Sequence, residues 1–175
     1  MSASGQERTL PFSSLPLCLH QMKYDHAQLG TLSQRLASAV FAVRPELRQS
    51  ASMERGAEAD GLSVVIRATS LTDDEGRSVV VWVCEKVTPS IGFGPDHTHE
   101  SPDDVGIAAI LDTLLGVLTD QVVIVEDVGG EYSGFGKWLD LRVADALEEE
   151  LTDKYSPGRA IIKSWSGRAD RQVGL

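Results

Sequence analysis

The 175-residue chain has only two cysteines, Cys18 and Cys84, too few for a disulfide framework or a four-cysteine zinc site. Cys84 ends an apolar run and is expected to be a buried thiol, so the reducing cytoplasm is the default location. No run approaches the roughly 18 apolar residues that span a bilayer. The stretch from Leu10 to Leu19 holds two prolines and lacks a small-residue cleavage site, which argues against a signal peptide.

Positive charge is scarce in one third of the chain. Residues 100–155 hold 14 acidic and three basic side chains, whereas the remaining residues hold 12 acidic and 13 basic ones. The formal net charge of −10 therefore comes from this third. A concentrated negative field repels nucleic acid and attracts basic partners, so the segment is interpreted either as a docking surface or as a solvated acidic face.

Two helices are predicted from apolar residues at helical spacing. The first runs from about Asp25 to Val43, with Asp25 as its cap. The second begins with the strongest local signal in the chain, Ser101 as N-cap and Pro102 in the first helical position. An acidic segment, residues 145–154, is the third predicted helix.

Five segments are predicted to be strands, because β-branched and apolar residues alternate or cluster in residues 62–68, 79–84, 122–125, 137–143 and 160–165. Turn residues between the first two segments predict an antiparallel hairpin. The expected fold class is therefore α+β, with an antiparallel or mixed β-sheet that two or three helices cover. Residues 1–9 are polar and expected to be flexible, and residues 10–175 are expected to form a single α+β domain.

The segment IGFGPDHTHESPDD, residues 91–104, looks more like a reactive site than any other part of the sequence. A bend at Gly94 and Pro95 precedes His97 and His99. In an extended segment both imidazoles point to the same side and could reach one zinc or iron ion, which needs a third ligand. Four nearby carboxylates could supply that ligand, namely Asp96, Glu100, Asp103 and Asp112.

The same carboxylates have a second explanation. Asp103 and Asp104 fall in the first turn of the second helix, where the positive end of the helix dipole favours negative charge. The segment is therefore interpreted as a structural or interface loop, and a zinc site on His97 and His99 is kept as the alternative.

Complete catalytic patterns are lacking. The glycine-rich loop after residue 125 misses the phosphate-binding pattern, because Glu131 stands where a glycine is required and Trp138 replaces the hydroxyl residue. The serines form no nucleophile elbow. The charge balance does not suit a nucleic-acid surface. These observations favour a binding protein over an enzyme.

Aromatic and acidic residues alternate around the same glycine-rich loop. Tyr132, Phe135 and Trp138 could anchor a partner, while Glu131 and Asp140 could orient a basic one. The competing interpretation is that Phe135 and Trp138 belong to the hydrophobic core. We predict a partner surface formed by these five residues.

Short motifs follow one another in a definite order along residues 79–172. They are Gly94-Pro95-Asp96-His97-Thr98-His99, Asp103-Asp104, Leu114-Leu115, Val122 to Val125, Gly129-Gly130 and Ser164-Trp165-Ser166-Gly167. This order resembles small bacterial immunity proteins of polymorphic toxin systems. The resemblance implies an intracellular protein without enzymatic activity that binds and neutralises a cognate toxin, often a nuclease.

The predicted function is a non-enzymatic intracellular binding protein of immunity type, which needs no cofactor and presents an acidic surface to a basic protein partner such as a toxin. The alternative is a metal-dependent hydrolase that holds zinc on His97 and His99. A structural subunit that assembles into a homo-oligomer is a third interpretation. Neither nucleic acid nor a membrane is an expected partner.

Overall fold

The computed structural model describes residues 22–55, 58–70, 77–84, 87–94, 96–127, 136–143 and 160–173. In these ranges the chain forms a six-stranded sheet in chain order, with β1 (Met22–Lys23), β2 (Ala51–Glu54), β3 (Ser63–Thr69), β4 (Ser78–Cys84), β5 (Thr88–Phe93) and β6 (Asp96–His99). A four-stranded sheet contains β7 (Val122–Asp127), β8 (Gly136–Asp140), β9 (Ala160–Lys163) and β10 (Arg171–Val173), in the order β10-β9-β7-β8. The helices are α1 (Thr31–Val43) and α2 (Asp104–Leu118), with 3₁₀ helices at His26–Gln28 and Pro45–Ser50.

All strand pairs in both sheets are antiparallel, which confirms the predicted α+β fold class. The predicted hairpin is the β3–β4 pair, in which Val65 lies opposite Trp82. Alternate residues of these strands point towards α1 and α2 and are buried in the main core: Val64, Ile66, Ala68, Val79, Val81 and Val83. Cys84 is only partly buried, because it ends β4 at the sheet margin.

The first helix begins six residues later than predicted. Asp25 does cap a helix, but a 3₁₀ helix of three residues, in which its carboxylate accepts the Ala27 N–H at 3.1 Å. The chain then extends through Gly30, whose N–H donates to the Leu62 carbonyl at 2.9 Å. This backbone pairing ends the 3₁₀ helix, so α1 starts only at Thr31.

Carboxylates from a distant loop cap α1. Glu58 is buried and accepts the Leu32 N–H at 2.7 Å and the Ser33 N–H at 3.0 Å. Asp60 accepts the Thr31 N–H at 3.1 Å and the Thr31 hydroxyl at 2.5 Å, and these bonds hold the pKa of Asp60 below its ordinary value. The loop thus satisfies three backbone donors that the first turn of a helix leaves without partners.

The second helix also starts later than predicted. Its N-cap is Asp103, whose carboxylate accepts the Gly106 N–H at 2.9 Å. Ser101, the predicted cap, instead donates its hydroxyl to the same carboxylate at 2.7 Å. These bonds, with that from Gly106 the stronger influence, hold the pKa of Asp103 below its ordinary value. Asp103 has an advantage over Ser101 as the N-cap, because its negative charge also interacts favourably with the helix dipole.

Helix α2 packs against strands of both sheets in the main core. Gly116 permits close approach, because a Cβ there would lie 2.6 Å from the Val122 side chain of β7. The opposite face of the second sheet carries a smaller apolar cluster: Val123, Val125, Leu139, Ala160 and Ile162. The strand predicted over residues 137–143 ends at Asp140. The helix predicted over residues 145–154 lies outside the described residues.

The described helices are too short or too polar to cross a membrane.

Candidate functional site

The two histidines lie side by side on β6. Their ring centroids are 4.9 Å apart in an edge-to-face arrangement, as the period of an extended strand predicts. His97 also approaches the indole of Trp82 on β4, with 6.2 Å between the ring centroids. Gly94, with φ of +63°, lies at the end of the β5–β6 hairpin that sets this position. Pro95, the other residue of the predicted bend, lies outside the described residues.

The buried hydroxyl of Ser90 contacts the imidazole of His99. Ser90 Oγ lies 2.7 Å from His99 Nδ1 and also donates to the Thr88 carbonyl at 3.2 Å. Although a serine and a histidine in contact suggest nucleophilic catalysis, Ser90 has no exposed surface, so a substrate cannot reach its oxygen. The pair positions the His99 ring instead.

The carboxylates suggested as further zinc ligands form other bonds. Asp96 accepts the backbone N–H of its neighbour His97 at 2.8 Å, and Glu100 accepts the Thr98 hydroxyl at 3.4 Å. Asp103 caps α2, and Asp112 binds Arg142. Among the residues that the structure describes, no group of three or more His, Cys, Asp or Glu side chains is arranged to hold a metal ion.

Two members of the predicted partner surface are described, and three are not. Glu131, Tyr132 and Phe135 lie outside the described residues. Trp138 is partly buried against the main core, and its indole N–H is buried without a hydrogen-bond partner among the described residues. This position matches the core interpretation of the tryptophan more closely than that of an exposed anchor.

The remaining member, Asp140, belongs to an ion-pair cluster. The Arg142 guanidinium donates to both oxygens of Asp112 on α2, at 2.8 and 2.6 Å, and to Asp140 at 2.7 Å. Arg142 holds the pKa values of Asp112 and Asp140 below their ordinary range, and the two carboxylates raise the pKa of Arg142. The cluster fixes the end of β8 to α2 and keeps one net negative charge.

The Ser-Trp-x-Gly motif forms a turn after β9. Asp170 accepts the Ser164 N–H at 2.8 Å and binds Arg77 at 2.5 Å, while Ser166 donates its N–H to Asp120 at 2.8 Å. The Trp165 ring packs against the main core. The residues that hold this turn carry no signal in the sequence, since Arg77 and Asp170 are 93 positions apart.

The described residues also line two surface depressions. An open groove of about 540 Å³ lies between α1 and α2, and the residues that line it are His26, Gln34, Arg35, Ser38, Ala39, Asp104 and Ile107. A smaller cavity of about 270 Å³ lies beside the Ser-Trp-x-Gly turn, lined by Leu141, Ile162, Arg168, Ala169, Asp170 and Arg171. Neither contains the histidine pair.

Comparison with known proteins adds no family to these observations. No family model matches the chain, and no curated protein or solved structure matches it significantly. The resemblance to immunity proteins therefore stays a prediction. The geometry of the chain's own residues has to carry any proposal about function.

Proposed function

We propose that the chain is a non-enzymatic cytoplasmic binding protein of immunity type, which uses the outer face of α2 to bind a basic protein partner such as a toxin. The observation that carries this proposal is Val105, whose exposed fraction of 76% is the largest among the large apolar side chains of the described residues. A single exposed apolar side chain is ordinary on a protein surface, so Val105 supports an interaction site together with the groove and the charged residues beside it.

The surroundings of Val105 favour a basic partner. The charged residues of α2 are Asp104 and Asp112, and the N-cap Asp103 adds a third carboxylate. Two arginines bind these acids, Arg35 through Asp104 at 2.6 Å and Arg142 through Asp112. With Asp140 included, the face keeps an excess of negative charge, which would speed the approach of a positively charged protein.

A second exposed valine lies near the far end of the same face. Asp112 lies two helical turns after Val105, about 10 Å along the axis. Next to the Arg142 that binds Asp112, Val143 exposes 58% of its surface. The α1–α2 groove borders the other side of Val105, because Asp104 and Ile107 line it. Apolar positions surrounded by polar pairs are the arrangement typical of protein interfaces.

The test is binding of the basic protein encoded by an adjacent gene, since a toxin and its immunity protein are normally encoded together. We expect stable co-purification, an association rate that falls steeply as salt screens the charges, and an affinity about tenfold lower for Val105→Arg. The matched control is Val43→Arg, an exposed valine at the end of α1, which should change affinity less than about twofold. Salt-insensitive binding, or equal loss in both variants, would contradict the proposal.

A second candidate rests on the 4.9 Å separation of the His97 and His99 rings, which would suit a metal-dependent hydrolase that holds zinc. Elemental analysis of the purified protein separates the two candidates. Near-stoichiometric zinc that disappears in a His97→Ala/His99→Ala variant would favour the hydrolase. Zinc-independent partner binding by the same variant would favour the binding protein.

A further inference from the structure

The cavity beside the Ser-Trp-x-Gly turn combines an apolar floor with a cationic rim. Ile162, Leu141 and Ala169 supply apolar surface, and Leu141 remains 39% exposed. Arg168 and Arg171 supply the rim. At about 270 Å³ the cavity is slightly smaller than typical small-molecule sites, which span roughly 300–1,000 Å³, so it suits a small ligand.

The two rim arginines are available to a ligand. Both are exposed, and neither guanidinium forms an ion pair or hydrogen bond with the described residues. The acid in the described lining, Asp170, is occupied by Arg77 at 2.5 Å and by the Ser164 N–H at 2.8 Å. Because Arg77 neutralises Asp170, the positive field of the rim is not cancelled there.

The backbone of the turn that carries the two rim arginines is fixed by hydrogen bonds. Ser164 Oγ accepts the Ala169 N–H at 3.1 Å, between the two arginines in the chain, and the Ser166 hydroxyl accepts the Arg168 N–H at 3.2 Å. The Asp120 carboxylate fixes Ser166 in turn. A turn fixed by these bonds loses little backbone entropy when a ligand binds, so the entropic cost of binding is confined mainly to the two arginine side chains.

We propose that this cavity binds a small carboxylate on an apolar body, an activity additional to partner binding at the α2 face. The guanidinium groups of Arg168 and Arg171 take the carboxylate, for which their planar donor sets are suited. The exposed Leu141 and the partly exposed Ala169 contact the apolar body, above the buried Ile162. A fully hydrated anion without such a body, such as phosphate, gains nothing from this floor and loses water over it.

The experiment titrates the intact protein with benzoate and follows backbone NMR shifts at constant ionic strength. We expect saturable binding with a dissociation constant on the order of 1 mM or below, and shifts centred on residues 168–171. Benzylamine has the same body with the opposite charge, and phosphate has the charge without the body. Both should bind far more weakly, and binding of either as tight as that of benzoate would overturn the proposal.

Variants locate the site. Arg168→Gln/Arg171→Gln should weaken benzoate binding about tenfold or more, since hydrogen bonds to charged groups contribute on that scale. Arg67→Gln removes an exposed arginine of β3 outside the cavity and should leave the affinity unchanged. Leu141→Glu places a carboxylate at an exposed position of the lining and should weaken binding to a similar extent, without relying on the double variant. Unaltered binding by both cavity variants would show that the ligand lies elsewhere.

Discussion

The carboxylate of Glu58 accepts the backbone N–H of Leu32 at 2.7 Å, across 26 positions of the sequence. Helix α1 has Gly30 before it, which offers no side chain to satisfy its first N–H groups. Glu58, which belongs to a separate loop, accepts hydrogen bonds from these N–H groups instead. It is buried, with 8% of its surface exposed. The loop and the helix are thereby fixed to each other.

Replacing Glu58 with alanine should therefore destabilise the protein markedly. The substitution removes the acceptor of the Leu32 and Ser33 N–H groups and leaves these donors buried without partners. We expect a loss of about 2–3 kcal/mol in the free energy of unfolding, which combines a lost cap with unsatisfied buried donors. Urea denaturation followed by circular dichroism measures it.

Glu46→Ala is the matched control for this loss. Glu46 lies in the first turn of the 3₁₀ helix Pro45–Ser50 and binds Arg44 at 2.5 Å, but it is exposed. Exposed ion pairs contribute little, so this variant should unfold near the urea concentration of the parent protein. An equal shift in both variants would mean that loss of a carboxylate, rather than loss of the cap, decides stability.

The remote cap also explains which features the sequence could predict. The β3–β4 hairpin and the region where α2 starts depend on spacing and turn chemistry within a few residues, so they were predictable. The start of α1 was not, because Glu58 and Asp60 reach it from a loop that has no local pattern. The choice of Asp103 over Ser101 as cap is local, but serine and aspartate are similarly good N-caps, so the sequence pattern did not distinguish them.

The candidate sites also contain some features that the sequence could predict and others that it could not. The proximity of His97 and His99 follows from strand periodicity and was predictable. The bonds that occupy Asp112 were not, because its partner Arg142 lies 30 positions away. The cavity with the arginine rim was missed entirely, since the turn that builds it depends on long-range contacts of Arg77 and Asp120.

We expect Arg142 to determine how the free energy of unfolding depends on pH in the acid range. Because Arg142 lowers the pKa of Asp112 and Asp140, these carboxylates titrate in the folded protein below the ordinary value of about 3.9. The unfolded chain then takes up protons first as pH falls. The stabilisation is fully present above about pH 4 and is lost as the pH falls through the folded pKa values.

Arg142→Gln should therefore raise the pKa of both carboxylates and flatten this acid limb. NMR titration of the Asp112 and Asp140 side chains measures the first effect, and urea denaturation as a function of pH measures the second. Arg67→Gln removes an equal charge from an exposed position of β3 and should leave both unchanged. Parallel behaviour of the two variants would indicate a general charge effect instead of the local bonds.

Gly94 should tolerate no side chain, for two separable reasons. Its φ of +63° lies in the left-handed region, where a Cβ costs roughly 1–2 kcal/mol. A Cβ would also overlap with Cδ1 of Ile124 on β7. We expect Gly94→Ala to lower the free energy of unfolding by about 2–4 kcal/mol, since the backbone strain and the overlap with a packed core side chain both oppose folding.

A double-mutant cycle separates the two reasons. Ile124→Val deletes Cδ1, the atom that the new methyl group meets, and alone should cost about 0.5–1.5 kcal/mol. If the overlap contributes, the double variant will be more stable than the sum of the single effects predicts, by at least about 0.5 kcal/mol. Simple additivity would assign the whole loss to the backbone conformation, because Ile124→Val leaves φ at Gly94 unchanged.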